Sequence, residues 1–126
     1  MTPLSNNFDL PLLEATGRQL AEEIGSESAS ELFMCYLQDS PGRLEEMKRL
    51  LGVGDRKSLG ILAHSIKGSS SIFGLSAMES LGHQLETESE TGELERIGAL
   101  IQELDREFKI AAPEILRISS ELAAGA

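Results

Sequence analysis

The sequence predicts an all-α protein, an antiparallel up-down four-helix bundle led by a short additional N-terminal helix. Three observations point there. Leu, Ile, Ala, Glu and Ser dominate the 126 residues, aromatic content is 4% and Trp is absent, which favours helices over a sheet rich in β-branched residues. Apolar residues recur at three- and four-residue spacing in successive stretches. The breaks between those stretches are short, and helices with short connections bury their apolar stripes most economically against their sequence neighbours.

The first helix takes Asp9 as N-cap, tolerates Pro11 in its first turn, places Phe8 to staple onto Leu13, and ends near Glu23. Ser28 and Glu31 have the spacing of a capping box for a longer second helix, whose stripe is Leu32, Phe33, Tyr36, Leu37, Leu44, Met47 and Leu51. Pro41 lies within it and predicts a kink near Ser40 or a restart there. After the turn "GVGD", Asp55 is the N-cap of a third helix that runs to Gly74, a left-handed stop. Ser76 and Glu79 form a second capping-box pair, and Met78, Leu81 and Leu85 carry a fourth helix to a break near Thr91 and Gly92. Leu94, Ile97, Ile101, Leu104, Phe108, Ala111, Ile115 and Ile118 keep helical period through the last stretch, with a local bend at Pro113. Residues 1–126 read as a single domain with loose ends at about 1–7 and 121–126. The Met1 start and the capped first helix favour a stand-alone protein.

A net charge of −10 argues against nucleic acid or an anionic membrane as the main partner, since both reward basic surfaces. Cys35 is the only cysteine, so no internal disulfide forms; its apolar neighbours suggest a small core residue. No apolar run approaches the ~20 residues of a bilayer span, and the N-terminus lacks the pattern of a signal peptide. A cytoplasmic monomer without membrane insertion is expected.

The stretch "GILAHSIKGSSSIFG" carries the chemistry. At about 100° per residue, Leu59, Leu62, Ala63, Ile66, Ser70 and Phe73 share one face of the third helix. Lys57, Gly60, His64, Gly68 and Ser71 fall opposite, with Ile61 and Lys67 at the margins. His64 is therefore expected to point outward, between two glycines whose missing side chains give access. From Arg56 through Met78 no Asp or Glu occurs; the window carries +3 while the rest of the chain carries −13, a local basic patch suited to an anion. An exposed imidazole titrates near ~6.5, so at neutral pH it offers a lone pair that can accept a phosphoryl group. Lys67, one turn on, can donate to phosphoryl oxygens.

These residues carry a resemblance. The segment "AHSIKGSSSIFGLSAMESLGHQLE" resembles the histidine-containing phosphotransfer (HPt) domains of bacterial multistep two-component phosphorelays. His64, Lys67 and Gly68 match the His-x-x-Lys-Gly signature, and Gly74 matches a later glycine. "ELFMCYLQDSPGRLEEMKRLL" and "IQELDREF" look like the family's second and last helices. The resemblance implies a four-helix bundle in which His64 accepts a phosphoryl group from a receiver-domain aspartyl phosphate and passes it to a response regulator. Lys67 would support the phosphoryl group and Gly68 would keep the docking face open. Lys57, Gly60, Ile61, Ser65, Ser71 and Ile72 would contribute to the surface that a receiver contacts. Glu86, 22 residues after His64, is similar in spacing to the glutamate that orients the histidine in the phosphotransfer domain of chemotaxis kinases.

The chain is thus expected to be a carrier rather than an enzyme, with the catalytic Asp and Mg²⁺ on the partner receiver of a hybrid sensor kinase or response regulator. It needs no cofactor or metal of its own. The alternative reading is a helical interaction module that regulates a kinase or receiver without carrying phosphate. His83, the other histidine, is given a surface role without chemistry.

Overall fold

The structure is a computed structural model that describes residues 9–125. It contains five helices and, among the described residues, no strand: α1 (Leu10–Ile24), α2 (Ser26–Val53), α3 (Arg56–Ile72), α4 (Ser76–Thr91) and α5 (Leu94–Ala124). Helix α2 packs on α3, α3 on α4, α4 on α5 and α5 on α2, which closes a ring of four around one core; α1 lies against α2 and α5. Connections of one to three residues make each helix a neighbour of the next. No helix is long and apolar enough to cross a membrane among the described residues.

The core follows the apolar stripes. Leu13, Phe33, Met47, Leu59, Ala63, Leu85, Ile97, Ile101, Leu104 and Ile115 are sealed from solvent. Phe73, just past α3, stacks between Phe33 and Tyr36 with ring centroids 4.7 and 5.0 Å away. The Tyr36 hydroxyl meets Ser70 Oγ at 3.0 Å and Met78 Sδ at 3.3 Å, so one buried polar group ties α2 to α3 and α4. Burial pushes the Tyr36 phenol above its ordinary range, against the opposing hydrogen bonds of Ser70 and Ser40 and the charge of Arg43. On the other flank Arg117 of α5 pairs with Glu14 of α1 at 2.7 Å.

The helix ends show which capping expectations hold. Asp9 Oδ1 accepts from Leu12 N at 2.9 Å, and Asp55 Oδ1 from Ser58 N at 3.1 Å. Asp55 acts twice, because its own N–H donates to Leu50 O at 3.0 Å and closes α2 behind the left-handed Gly54. Gly74 (φ +70°) stops α3 in the same way, with Leu75 N on Ser70 O at 3.0 Å.

Neither capping box forms. Helix α2 begins at Ser26, directly after Gly25, so Ser28 and Glu31 are already helical. Leu75 is engaged in closing α3 and becomes the N-cap of α4, so Ser76 is the first helical residue with no side-chain cap. Both long helices run through their prolines without a restart; the Ser40 hydroxyl donates to Tyr36 O at 2.6 Å in the turn where Pro41 has no N–H to give. Helix α5 continues through Ala124, beyond the expected loose end at 121. The Phe8 staple and the 1–7 end lie outside the described residues.

Three apolar positions are corrected outward. Leu32 is exposed on the outer face of α2, Leu94 is exposed as the first residue of α5, and Cys35 is exposed because it faces away from its buried neighbour Tyr36. One acidic side chain lies inward. Glu107 on α5 is buried, and neither carboxylate oxygen has a hydrogen-bond partner among the described residues. An unpaired buried carboxylate costs stability, so Glu107→Met is expected to raise stability by about 1 kcal/mol, read as the urea midpoint at unchanged slope. A lower midpoint would show that the carboxylate is satisfied in solution.

Candidate functional site

Helix α3 presents His64 as its wheel requires. Leu59, Ala63, Ile66 and Ser70 are buried, while the His64 side chain on the opposite face is 67% exposed. Across from it, α4 comes very close, because two glycines remove side chains from the contact. A Cβ on Gly82 would stand 3.0 Å from Lys67 N and 3.1 Å from Lys67 Cα, and a Cβ on Gly60 would stand 2.7 Å from Ser89 Oγ.

This approach delivers Glu86 of α4 to α3. Its Oε2 lies 2.8 Å from His64 Nδ1 and its Oε1 lies 2.8 Å from Lys67 Nζ. One carboxylate therefore bridges both residues. The Lys67 ammonium holds the Glu86 carboxyl below the ordinary glutamate range; partial burial opposes this and the His64 contact adds to it. A carboxylate accepts and does not donate, so the proton in the contact with Nδ1 belongs to the imidazole. Among the described residues Nε2 has no partner.

The depressed value fixes a sign. A carboxyl whose folded pKa is lowered contributes stability above the ordinary glutamate range, and that contribution is lost as pH falls through the folded value. Glu86 is thus expected to titrate below the ordinary glutamate range when its side-chain carboxyl carbon is followed by NMR. In Lys67→Met it should move up toward that range.

Gly68 has open space where a Cβ would stand, as an access role requires. Gly60 does not: its missing side chain makes room for Ser89, so close helix packing replaces access as the reason for that glycine. The remaining predicted contact residues divide. Lys57, Gly60 and Ile61 line an open groove of about 620 Å³ beside His64, together with Arg56, Glu86, Ser89 and Glu90. Ser71 and Ile72 are exposed at the far end of α3, and Ser65 lies on the α2 side with Glu46 and Leu50. Ile61 and Ile72 are 63% and 58% exposed, about 16 Å apart along the helix. His83 is exposed on α4, apart from this constellation.

The basic patch also needs correction. Charges missing from residues 56–78 return from α4, where Glu86 neutralises Lys67 and Glu90 faces the groove. Sequence reasoning missed Gly82, Ser89 and Glu90. A usable signal existed, since Gly82, Glu86, Ser89 and Glu90 recur at helical spacing and share a side of α4.

Residues 31–110 match the model of the Hpt domain family. The chain is similar to the histidine-containing phosphotransfer protein B (HptB) of Pseudomonas aeruginosa PAO1, seen in a crystal structure. The two share 30% sequence identity with a TM-score of 0.80, over 93% of this chain and 97% of that one. Curated proteins give no match. An exposed imidazole backed by a carboxylate, on a helical scaffold shared with a phosphotransfer protein, leads to one assignment: the chain belongs to the Hpt domain family and has a histidine phosphotransfer role.

Proposed function

We propose that His64 takes a phosphoryl group from the aspartyl phosphate of one receiver domain and returns it to the aspartate of a response regulator. The contact between Nδ1 and Glu86 carries this reading, because it leaves the lone pair on the exposed Nε2. In the first transfer Nε2 attacks phosphorus, the P–N bond forms, and the P–O bond breaks with its electrons leaving on the receiver's carboxylate. The Nδ1 proton stays on the ring, where the Glu86 carboxylate faces the developing positive charge. In the second transfer another receiver's aspartate attacks phosphorus and the P–N electrons return to Nε2.

The receiver supplies the aspartate and the Mg²⁺ that neutralises phosphoryl charge. Lys67, shared in the resting chain with Glu86, turns a proton toward the phosphoryl oxygens. Gly68 leaves the approach clear, and Ile61, Ser65, Ser71 and Ile72 on an antiparallel up-down bundle give the receiver its apolar and small-residue footing. The test is incubation with a phosphorylated receiver. Acid-labile, alkali-stable label on the chain supports the carrier, and free phosphate released without a labelled intermediate contradicts it.

Gly68 gives a second test with two readouts of opposite sign. Gly68→Ala meets no neighbour, so the helix gains about 0.5–1 kcal/mol of stability, read by urea denaturation. The added methyl stands in the docking face, and transfer from a receiver is expected to fall several-fold.

A further inference from the structure

The groove beside His64 has an electrostatic arrangement that the carrier chemistry does not use. Arg56 and Lys57 stand on its α3 side, at the first turn of the helix, while Glu86 and Glu90 stand on its α4 side. Gly60 and Ser89 form the close contact between the two sides, and the exposed Ile61 supplies an apolar margin. The opposite flank of His64 is different, since Gly68 there opens on free space.

Elsewhere on the surface the cations are mostly neutralised within the chain: Lys48 and Lys109 by Asp105, Arg49 by Glu46, Arg106 by Glu103, and Arg117 by Glu14 and Glu121. In the groove, Lys67 and Glu86 are already paired. Among the described residues Arg56 makes one side-chain hydrogen bond, a long one of 3.3 Å to the carbonyl of Ser89. Neither Lys57 nor Glu90 has an ion-pair partner among the described residues. The groove therefore holds charges of both signs that the fold leaves unneutralised, next to the phosphoryl acceptor and separated by the width of a helix contact.

We infer that this groove selects the receiver by a two-signed contact: an acidic side chain of the receiver meets Arg56 and Lys57, a basic one meets Glu90, and an apolar one covers Ile61. The inference rests on the carrier reading and adds to it the residues that discriminate among receivers. A uniformly charged protrusion would gain at one wall and be repelled at the other, so the groove rejects partners as well as attracting one. The contact is at the margin of the reacting atoms, and it acts on encounter and orientation rather than on bond making.

The experiment uses the full chain and a panel of purified receiver domains from the same organism, starting from the receiver that labels the wild type fastest. Arg56→Glu and Glu90→Lys are each expected to lower kcat/KM with that receiver about tenfold, mainly through KM, and to change the order of preference across the panel. Arg56→Lys, which keeps the charge, should stay within twofold of wild type. Phosphoramidate, a small donor that needs no docking, should label all four proteins equally. Receiver kcat/KM within twofold of wild type for both reversals would overturn the groove proposal while leaving the carrier intact. Equal losses with phosphoramidate would also overturn it, by showing damage to the His64 site itself. Failure of any receiver to label the wild type would instead bring down the carrier reading and this inference together.

Discussion

His64→Gln is expected to lose phosphoryl acceptance altogether, by roughly 10³-fold or more and to the limit of detection, because glutamine has no lone pair equivalent to Nε2. The fold should not respond. The side chain is 67% exposed and, among the described residues, its one hydrogen bond is with Glu86, so the change in stability should be within about 0.5 kcal/mol. Label transfer from a phosphorylated receiver together with a urea denaturation curve separates the two effects. Residual label in the variant would place the acceptor elsewhere in the chain, and unchanged regulation of a partner by the variant would favour a binding module.

Gly82→Leu should have the largest effect among residues that never touch phosphate. A Cβ at this position meets the backbone N and Cα of Lys67, atoms that move only if one helix moves. Overpacking of this kind costs about 3 kcal/mol, or roughly a 10 °C fall in Tm for a domain of this size. Because α4 must retreat, the two 2.8 Å contacts of Glu86 to His64 and Lys67 are expected to lengthen, and transfer at a temperature where the variant is folded should drop tenfold or more. Wild-type transfer from a folded Gly82→Leu chain would mean that Glu86 does not orient the imidazole.

Much of this site could be read before any coordinates. The periodicity of α3 is strong enough that Leu59, Ala63, Ile66, Ser70 and Phe73 fall inside and His64 outside, as the wheel requires. Asp55 and Gly74 could also be read, since a cap carboxylate and a left-handed glycine are local devices whose partners lie within five residues. The spacing of Glu86 suggested its place but could not supply it, because that depends on how closely α4 approaches α3.

What failed depended on neighbours. Ser28 and Ser76 have the right spacing for capping boxes, but the preceding turns at Gly25 and at Gly74–Leu75 start each helix earlier than that spacing needs. Gly60 and Gly82 look alike in sequence to Gly68, yet the first two are close-packing positions and the third is open. Helix periodicity tells which face a residue is on; it does not tell what stands opposite. The local charge reading failed for the same reason, since residues 56–78 lack acids and α4 returns them from across the groove.

In the proposed transfer the imidazole of residue 64 is held by Glu86 through Nδ1 and reacts through Nε2. Nitrogen-15 NMR of the histidine side chains in the receiver-phosphorylated chain reads it directly. The account predicts a phosphorus-coupled Nε2 at residue 64 and a protonated, hydrogen-bonded Nδ1. Phosphorus coupling to Nδ1, or to either nitrogen of His83, would contradict it.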